Sequence, residues 1–207
     1  MSEDSWLADA MGSWPVVARQ ELAAGQIVRL RGDTVRMPDG EEVRRDVVEH
    51  PGAVAVVALD EAGQVLLLRQ YRHPVAGQLW EIPVGLRDVA GEPPLVTAQR
   101  ELLEESGYRA AHWQVLADVY SSPGISSERL RIFLARDLTQ VPDAERGFEP
   151  EHEEAHLMIE WAQLDTVVSR FLSGDLHNGV LAIGVLAVYA AREGGFSALR
   201  GSSVPER

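Results

Sequence analysis

Ala53–Leu59 is seven consecutive apolar residues, and across the turn Asp60-Glu61-Ala62-Gly63 a second strand, Gln64–Arg69, carries four more at Val65–Leu68. A strand with one wet face alternates apolar and polar residues, because successive side chains point to opposite sides of a sheet. An unbroken apolar run is a strand covered on both faces. The chain therefore needs a layer on each side of these strands. The spacing of Leu95, Ala98 and Leu102, helped by Leu103, predicts a helix from Pro93 or Pro94 to Ser106, with proline tolerated in the first turn. Two more helices are predicted at Leu164–Leu172 and Asn178–Ala191, the second capped by Asp175 or Asn178. Further strands are expected at Val115–Tyr120, Leu130–Ala135 and Leu157–Trp161. Upstream, Val16–Ala18, Gln26–Met37 and Glu42–Glu49 read as β, the last two joined by the turn Pro38-Asp39-Gly40. This order gives an α+β fold with a mixed sheet between helices. Residues 1–50 form an N-terminal β subdomain, 51–193 the main domain, and 194–207, rich in small and polar residues, a flexible tail.

The first long helix carries an arrangement that stability alone does not favour. Arg100-Glu101-Leu102-Leu103-Glu104-Glu105 puts Glu101 one turn from both Glu104 and Glu105. Like charges at that spacing cost an isolated helix roughly 0.2–0.5 kcal/mol per pair. Gly107 is a natural left-handed C-cap, which sets Glu104 and Glu105 at the negative end of the helix dipole. A solvated acidic face is the plain alternative, since glutamate is a good helix former. A bound divalent cation with oxygen ligands would remove both penalties, and Mg²⁺ is the usual choice beside a phosphate.

Glu92, seven residues, then Arg100-Glu101-Leu102-Leu103-Glu104-Glu105-Ser106-Gly107-Tyr108 resembles the Nudix box. One departure stands at the front, where six residues rather than five separate Gly85 from Glu92. The resemblance implies an αβα sandwich. The extra N-terminal strands look like the small antiparallel sheet that ADP-ribose pyrophosphatases add before the core, which implies a homodimer. It further implies Mg²⁺ (or Mn²⁺) held by Glu101 and Glu105, with Glu104 beside them acting directly or through water, and with the carbonyl of Val84 as a backbone ligand. Arg100 would orient the carboxylates, with Glu92 as its partner.

In family members that cleave ADP-ribose, the base comes from a late acidic loop. Glu149-Pro150-Glu151-His152-Glu153-Glu154 stands in that place, so Glu154 is chosen as base or further metal ligand and Glu153 as second choice. For substrate, the resemblance points to Arg45 and Arg72 (with Arg44 as a further candidate), Glu81, Gly85 and the Pro123-Gly124 pair. Guanidinium groups suit a diphosphate because they offer two parallel donors. The expected reaction is metal-dependent hydrolysis of ADP-ribose to AMP and ribose 5-phosphate. The alternatives are cleavage of another nucleoside diphosphate derivative, such as a nucleotide sugar or dinucleotide, or ligand binding without catalysis.

Other classes are disfavoured. A formal net charge of −13 opposes a nucleic-acid or anionic-membrane surface, which would need clustered basic residues. Without cysteine there is no disulfide, thiolate zinc site or cysteine nucleophile. Val180–Ala191 is too short to span a bilayer, and the acidic start lacks an apolar signal region, so cytoplasm is the expectation. His152-Glu153-Glu154-Ala155-His156 spells a zinc-protease pattern. That motif requires a helix, whereas Pro150 precedes it and strand-like residues follow, so the match is read as coincidence.

Overall fold

The computed structural model describes residues 7–142, 145 and 157–206. The chain divides into two compact units, one built on residues up to His50 with Gly124–Ser127, the other on Pro51–Pro123 with Glu128 onward. The first is an antiparallel meander of β1 (Val16–Ala24), β2 (Arg29–Arg36) and β3 (Glu42–Glu49). Its β2–β3 turn closes as expected, with Gly40 at φ +92° and Met37 N–H donating to the Glu41 carbonyl at 2.7 Å. β1 runs six residues past the expected Val16–Ala18, because backbone pairing with β2 extends it where apolar alternation gives no signal. Asp33 is buried on β2 and accepts from Arg19 and Arg31, both at 3.1 Å.

The second unit holds β4 (Ala53–Ala58), β5 (Gln64–Arg72), β6 (Gly77–Glu81), β7 (Val84–Leu86), α1 (Pro94–Ser106), β8 (Tyr108–Tyr120), β9 (Arg129–Gln140), β10 (Met158–Gln163), α2 (Leu164–Leu172), α3 (Gly179–Ala191) and β11 (Arg200–Gly201). One mixed sheet runs β11-β8-β9-β4-β7, with β4 and β9 parallel and the other pairs antiparallel. An antiparallel sheet runs β10-β5-β6. The unbroken apolar runs split by parity. Val54, Val56 and Ala58 of β4 join Leu66, Leu68, Phe133, Ala98 and Leu102 in a core facing α1. Ala55 and Val57 join Val65, Leu67, Ile132, Leu134, Leu181 and Val185 in a second core facing α2 and α3. This is the αβα layering that two-faced burial demands.

α1 begins at Pro94 and ends as expected, Gly107 at φ +73° donating to the Leu103 carbonyl at 2.8 Å. Ala98 and Leu102 are fully buried, while Leu103 joins neither core. α3 is capped by Asn178, whose Oδ1 accepts from Leu181 N–H at 2.9 Å, a contact worth about 1 kcal/mol. The residues after Gly194 carry backbone pairing and side-chain bonds of their own. β11 pairs with β8, Arg200 donates to Asp118 at 2.8 Å, and Arg131 donates to the Val204 carbonyl at 2.7 Å. Val204 itself packs against the α1-side core. Charged and backbone anchors of this kind leave no periodic trace in a sequence.

Candidate active site

Three elements converge on a cleft of about 280 Å³. The last turns of α1 contribute Arg100, Glu101 and Glu105; the short edge strand β7 contributes the Val84–Leu86 backbone; the end of β5 contributes Gln70 and Arg72. α1 lies against β7 and β4, which brings its acidic face over the edge strand. Glu105 Oε2 accepts from the Val84 N–H at 3.0 Å. Glu101 crosses directly above Gly85, where a Cβ would collide with its Cγ, Cδ and Oε1. Gly85 is there for proximity, because its φ is not in the left-handed region.

Arg100 organises the charge. Its Nη1 donates to Glu101 at 2.7 Å and to Glu104 at 3.0 Å, and its Nη2 reaches Glu92 at 3.4 Å. The guanidinium is partly buried, which opposes its charge, but Glu101 and Glu104 more than offset this and raise its pKa further. Glu92 accepts from the Thr97 hydroxyl at 2.8 Å; that bond, followed by the one from Arg100, lowers its pKa despite some desolvation. The like-charge penalty read from sequence is thus partly compensated within the protein.

Beside the cleft, Glu81 is buried and accepts two bonds from Arg72, at 2.9 Å from Nε and 2.6 Å from Nη2. Gln70 approaches the same carboxylate at 3.5 Å. The β5–β6 hairpin makes this pairing possible by setting Arg72 and Glu81 on adjacent strands. The Arg72 side chain remains 40% exposed and lines the cleft, a cation held in place by Glu81.

The structure places Glu101, Glu105, Val84, Gly85 and Arg72 around one cleft, with Glu81 behind Arg72. Glu104 does not line it; its carboxylate turns to Arg100, one turn away on the same helix. Arg45 lies on β3 in the other unit, exposed, its guanidinium donating to the Arg44 carbonyl at 3.0 Å. Pro123 and Gly124 are exposed in the loop after β8. Glu153, Glu154 and the histidines of the zinc-protease pattern lie outside the described residues. Sequence reasoning missed Gln70, Leu86 and Asp88 as cleft residues. Asp88 had one signal, its position inside the lengthened segment between Gly85 and Glu92.

Carboxylate and carbonyl oxygens are the donor chemistry of a hard divalent cation. Glu101 and Glu105 beside the Val84 backbone match that chemistry, and the missing Cβ at Gly85 makes room for the Glu101 carboxylate. Among the described residues, no three acidic or imidazole side chains already converge on one point. The residues fit the cation as a set to which a backbone oxygen can contribute.

Comparison with known proteins places this geometry in a family. The NUDIX domain model matches residues 49–179. The chain is similar to an ADP-ribose pyrophosphatase of Mycobacterium tuberculosis, 46% identical over 86% of this chain and 84% of the relative. It is also similar to an ADP-ribose pyrophosphatase of Bacillus subtilis, 36% identical over 61% of this chain and 68% of the relative. A crystal structure of an ADP compounds hydrolase superposes with a TM-score of 0.72 at 21% identity, covering 91% of this chain and 98% of that one, and shows the shared fold. With box, fold and relatives in agreement, the chain belongs to the Nudix hydrolase family.

Proposed function

We propose that this protein hydrolyses the pyrophosphate bond of ADP-ribose to AMP and ribose 5-phosphate, using Mg²⁺ or Mn²⁺. The observation that carries the reading is that Glu101, Glu105 and the anchored guanidinium of Arg72 line one cleft. The carboxylates suit a cation, and the fixed guanidinium suits a phosphate. Two relatives named ADP-ribose pyrophosphatase, one matched over most of its length, support the choice of substrate.

Glu101, Glu105 and the Val84 carbonyl would hold the metal, which supplies Lewis acidity and a water of lowered pKa when bound. Arg72, braced by Glu81, binds and orients a phosphoryl group. Arg100 restrains Glu101 and Glu104, keeping the acidic face from splaying before the cation arrives. Glu154, or Glu153 beside it, is proposed to take the proton of the attacking water. Glu104 would act through water, and Arg45, Pro123 and Gly124 on the substrate. A homodimer formed through the N-terminal sheet completes the proposal.

The test is ADP-ribose turnover with and without EDTA, with the products separated by chromatography. We expect turnover restored by Mg²⁺ or Mn²⁺ and severely reduced in Glu154→Gln. Binding without turnover under every metal would reject the enzyme, and preferential cleavage of a nucleotide sugar would reject the substrate. An active Glu154→Gln would reject the base.

A further inference from the structure

We infer that the C-terminal strap is a positioning device for the cleft, acting through an ion pair between Glu206 and Arg87. The inference rests on the proposed reading of the cleft but concerns an ion pair whose two residues the box pattern does not fix. β7 is a three-residue strand that, among the described residues, pairs with β4 alone, and it supplies Val84 and Gly85 to the cleft. The chain then enters the segment lengthened by one residue, Leu86 to Gly91, before Glu92. A longer connection has slightly more conformations to lose, and here Arg87 carries the restraints. Arg87 N–H donates to the Gly52 carbonyl at 3.0 Å. Between Leu86 and Gly91, the only side-chain hydrogen bonds among the described residues join Arg87 Nη1 to both oxygens of Glu206, at 2.9 and 3.0 Å.

Glu206 lies 119 residues from Arg87 in sequence, and its own path is fixed. β11 pairs with β8 at the sheet edge, Arg200 and Arg131 both hold Asp118, Arg131 also grips the Val204 carbonyl, and Val204 packs in the α1-side core. The strap is thus anchored firmly up to Val204 and reaches Arg87 two residues later. Arg87 and Glu206 are both partly shielded, their side chains 25% and 20% exposed, so the pair is screened less than one in open solvent. Arg87 adjoins Leu86 and Asp88, which line the cleft, and stands two residues from Gly85, over which Glu101 crosses. Releasing Arg87 frees the backbone that sets the distance between the Val84 carbonyl and the two carboxylates.

The experiment uses the full chain as wild type, Glu206→Gln, Arg87→Gln and the charge-swapped Arg87→Glu/Glu206→Arg pair. Three readouts are taken: Mn²⁺ binding by calorimetry without substrate, kcat and KM for ADP-ribose at saturating Mg²⁺, and amide exchange by peptide. Partners that orient metal ligands typically matter by 10–100-fold, so each single variant should weaken Mn²⁺ binding by about ten-fold. kcat should fall more than KM rises, exchange should quicken across 84–92, and α3 should exchange as in wild type. The charge swap should restore most of the affinity. Wild-type Mn²⁺ affinity in both single variants overturns the inference, as does a swap that rescues nothing. If the wild type binds Mn²⁺ yet never cleaves ADP-ribose, the proposed reaction falls while the strap remains tested by the binding and exchange data.

Discussion

Gly85 shows how one missing atom shapes the cleft. A methyl group there would overlap Glu101 along its Cγ–Cδ bond, and the backbone on which it sits needs no left-handed conformation. Gly85→Ala should therefore leave the fold intact and expel the Glu101 carboxylate from its place. We expect a thermal midpoint close to wild type, a higher half-saturating metal concentration, and a 10–100-fold loss in kcat/KM, read from paired melting and turnover measurements. Full activity in that variant would mean that the position of Glu101 does not matter. The carboxylate face was legible because helical spacing alone puts Glu101 and Glu105 on one side. The turn of Glu104 toward Arg100 was harder to see, since it depends on one guanidinium being shared among Glu101, Glu104 and Glu92. The anchoring of Arg72 by Glu81 required the hairpin that joins them, and Gly77–Glu81 carries no clear strand pattern.

Where apolar side chains decide an element, its place could be read directly: α1, α2 and β4 lie close to their expected bounds, while β5 runs three polar or aromatic residues past Arg69, and the parity of β4 reports both layers. The strap's contacts leave no apolar pattern in the sequence, because ion pairs and backbone carbonyls make them. Its main anchor joins β8, β9 and β11 through Asp118, which accepts from Arg131 at 2.6 and 2.9 Å and from Arg200 at 2.8 Å. Burial would raise the Asp118 pKa, but the bonds from Arg131 and then Arg200 outweigh it and hold the carboxyl below its usual 3.8. A carboxyl lowered by folding stabilises the protein at pH above its unfolded value and loses that contribution as pH falls through the folded one. Removing one partner of a buried pair costs roughly 3–5 kcal/mol, so Asp118→Asn should be destabilised by about that much at pH 7. The gap from wild type should begin to close below about pH 4 and narrow further toward pH 2. Urea titrations of both proteins at several pH values check this; a gap that stays constant with pH would deny Asp118 its charged role.

The N-terminal unit raises a question that no single contact answers. Among its described residues no hydrophobic side chain is buried, and Trp14, Val16 and Ile27 are 55%, 42% and 54% exposed. Every residue of β1 is exposed along the edge of a three-stranded sheet. Small sheets need an apolar face packed against something to be stable, and a contiguous exposed apolar patch marks an interface. A second copy of the chain is the proposed cover, in line with the homodimer that the family resemblance implies. The electrostatics then set the sign of the salt response. Two chains of formal charge −13 repel each other, and salt screens that repulsion, so association should tighten between low and physiological ionic strength. Sedimentation equilibrium at micromolar concentration should return about twice the 22.7 kDa of one chain. A Val16→Asp/Leu22→Asp variant, which puts further charge on the exposed strand, should shift the population toward monomer while Mn²⁺ binding at the cleft persists. A wild-type monomer under these conditions would remove the dimer and leave the exposed face of β1 to a different partner.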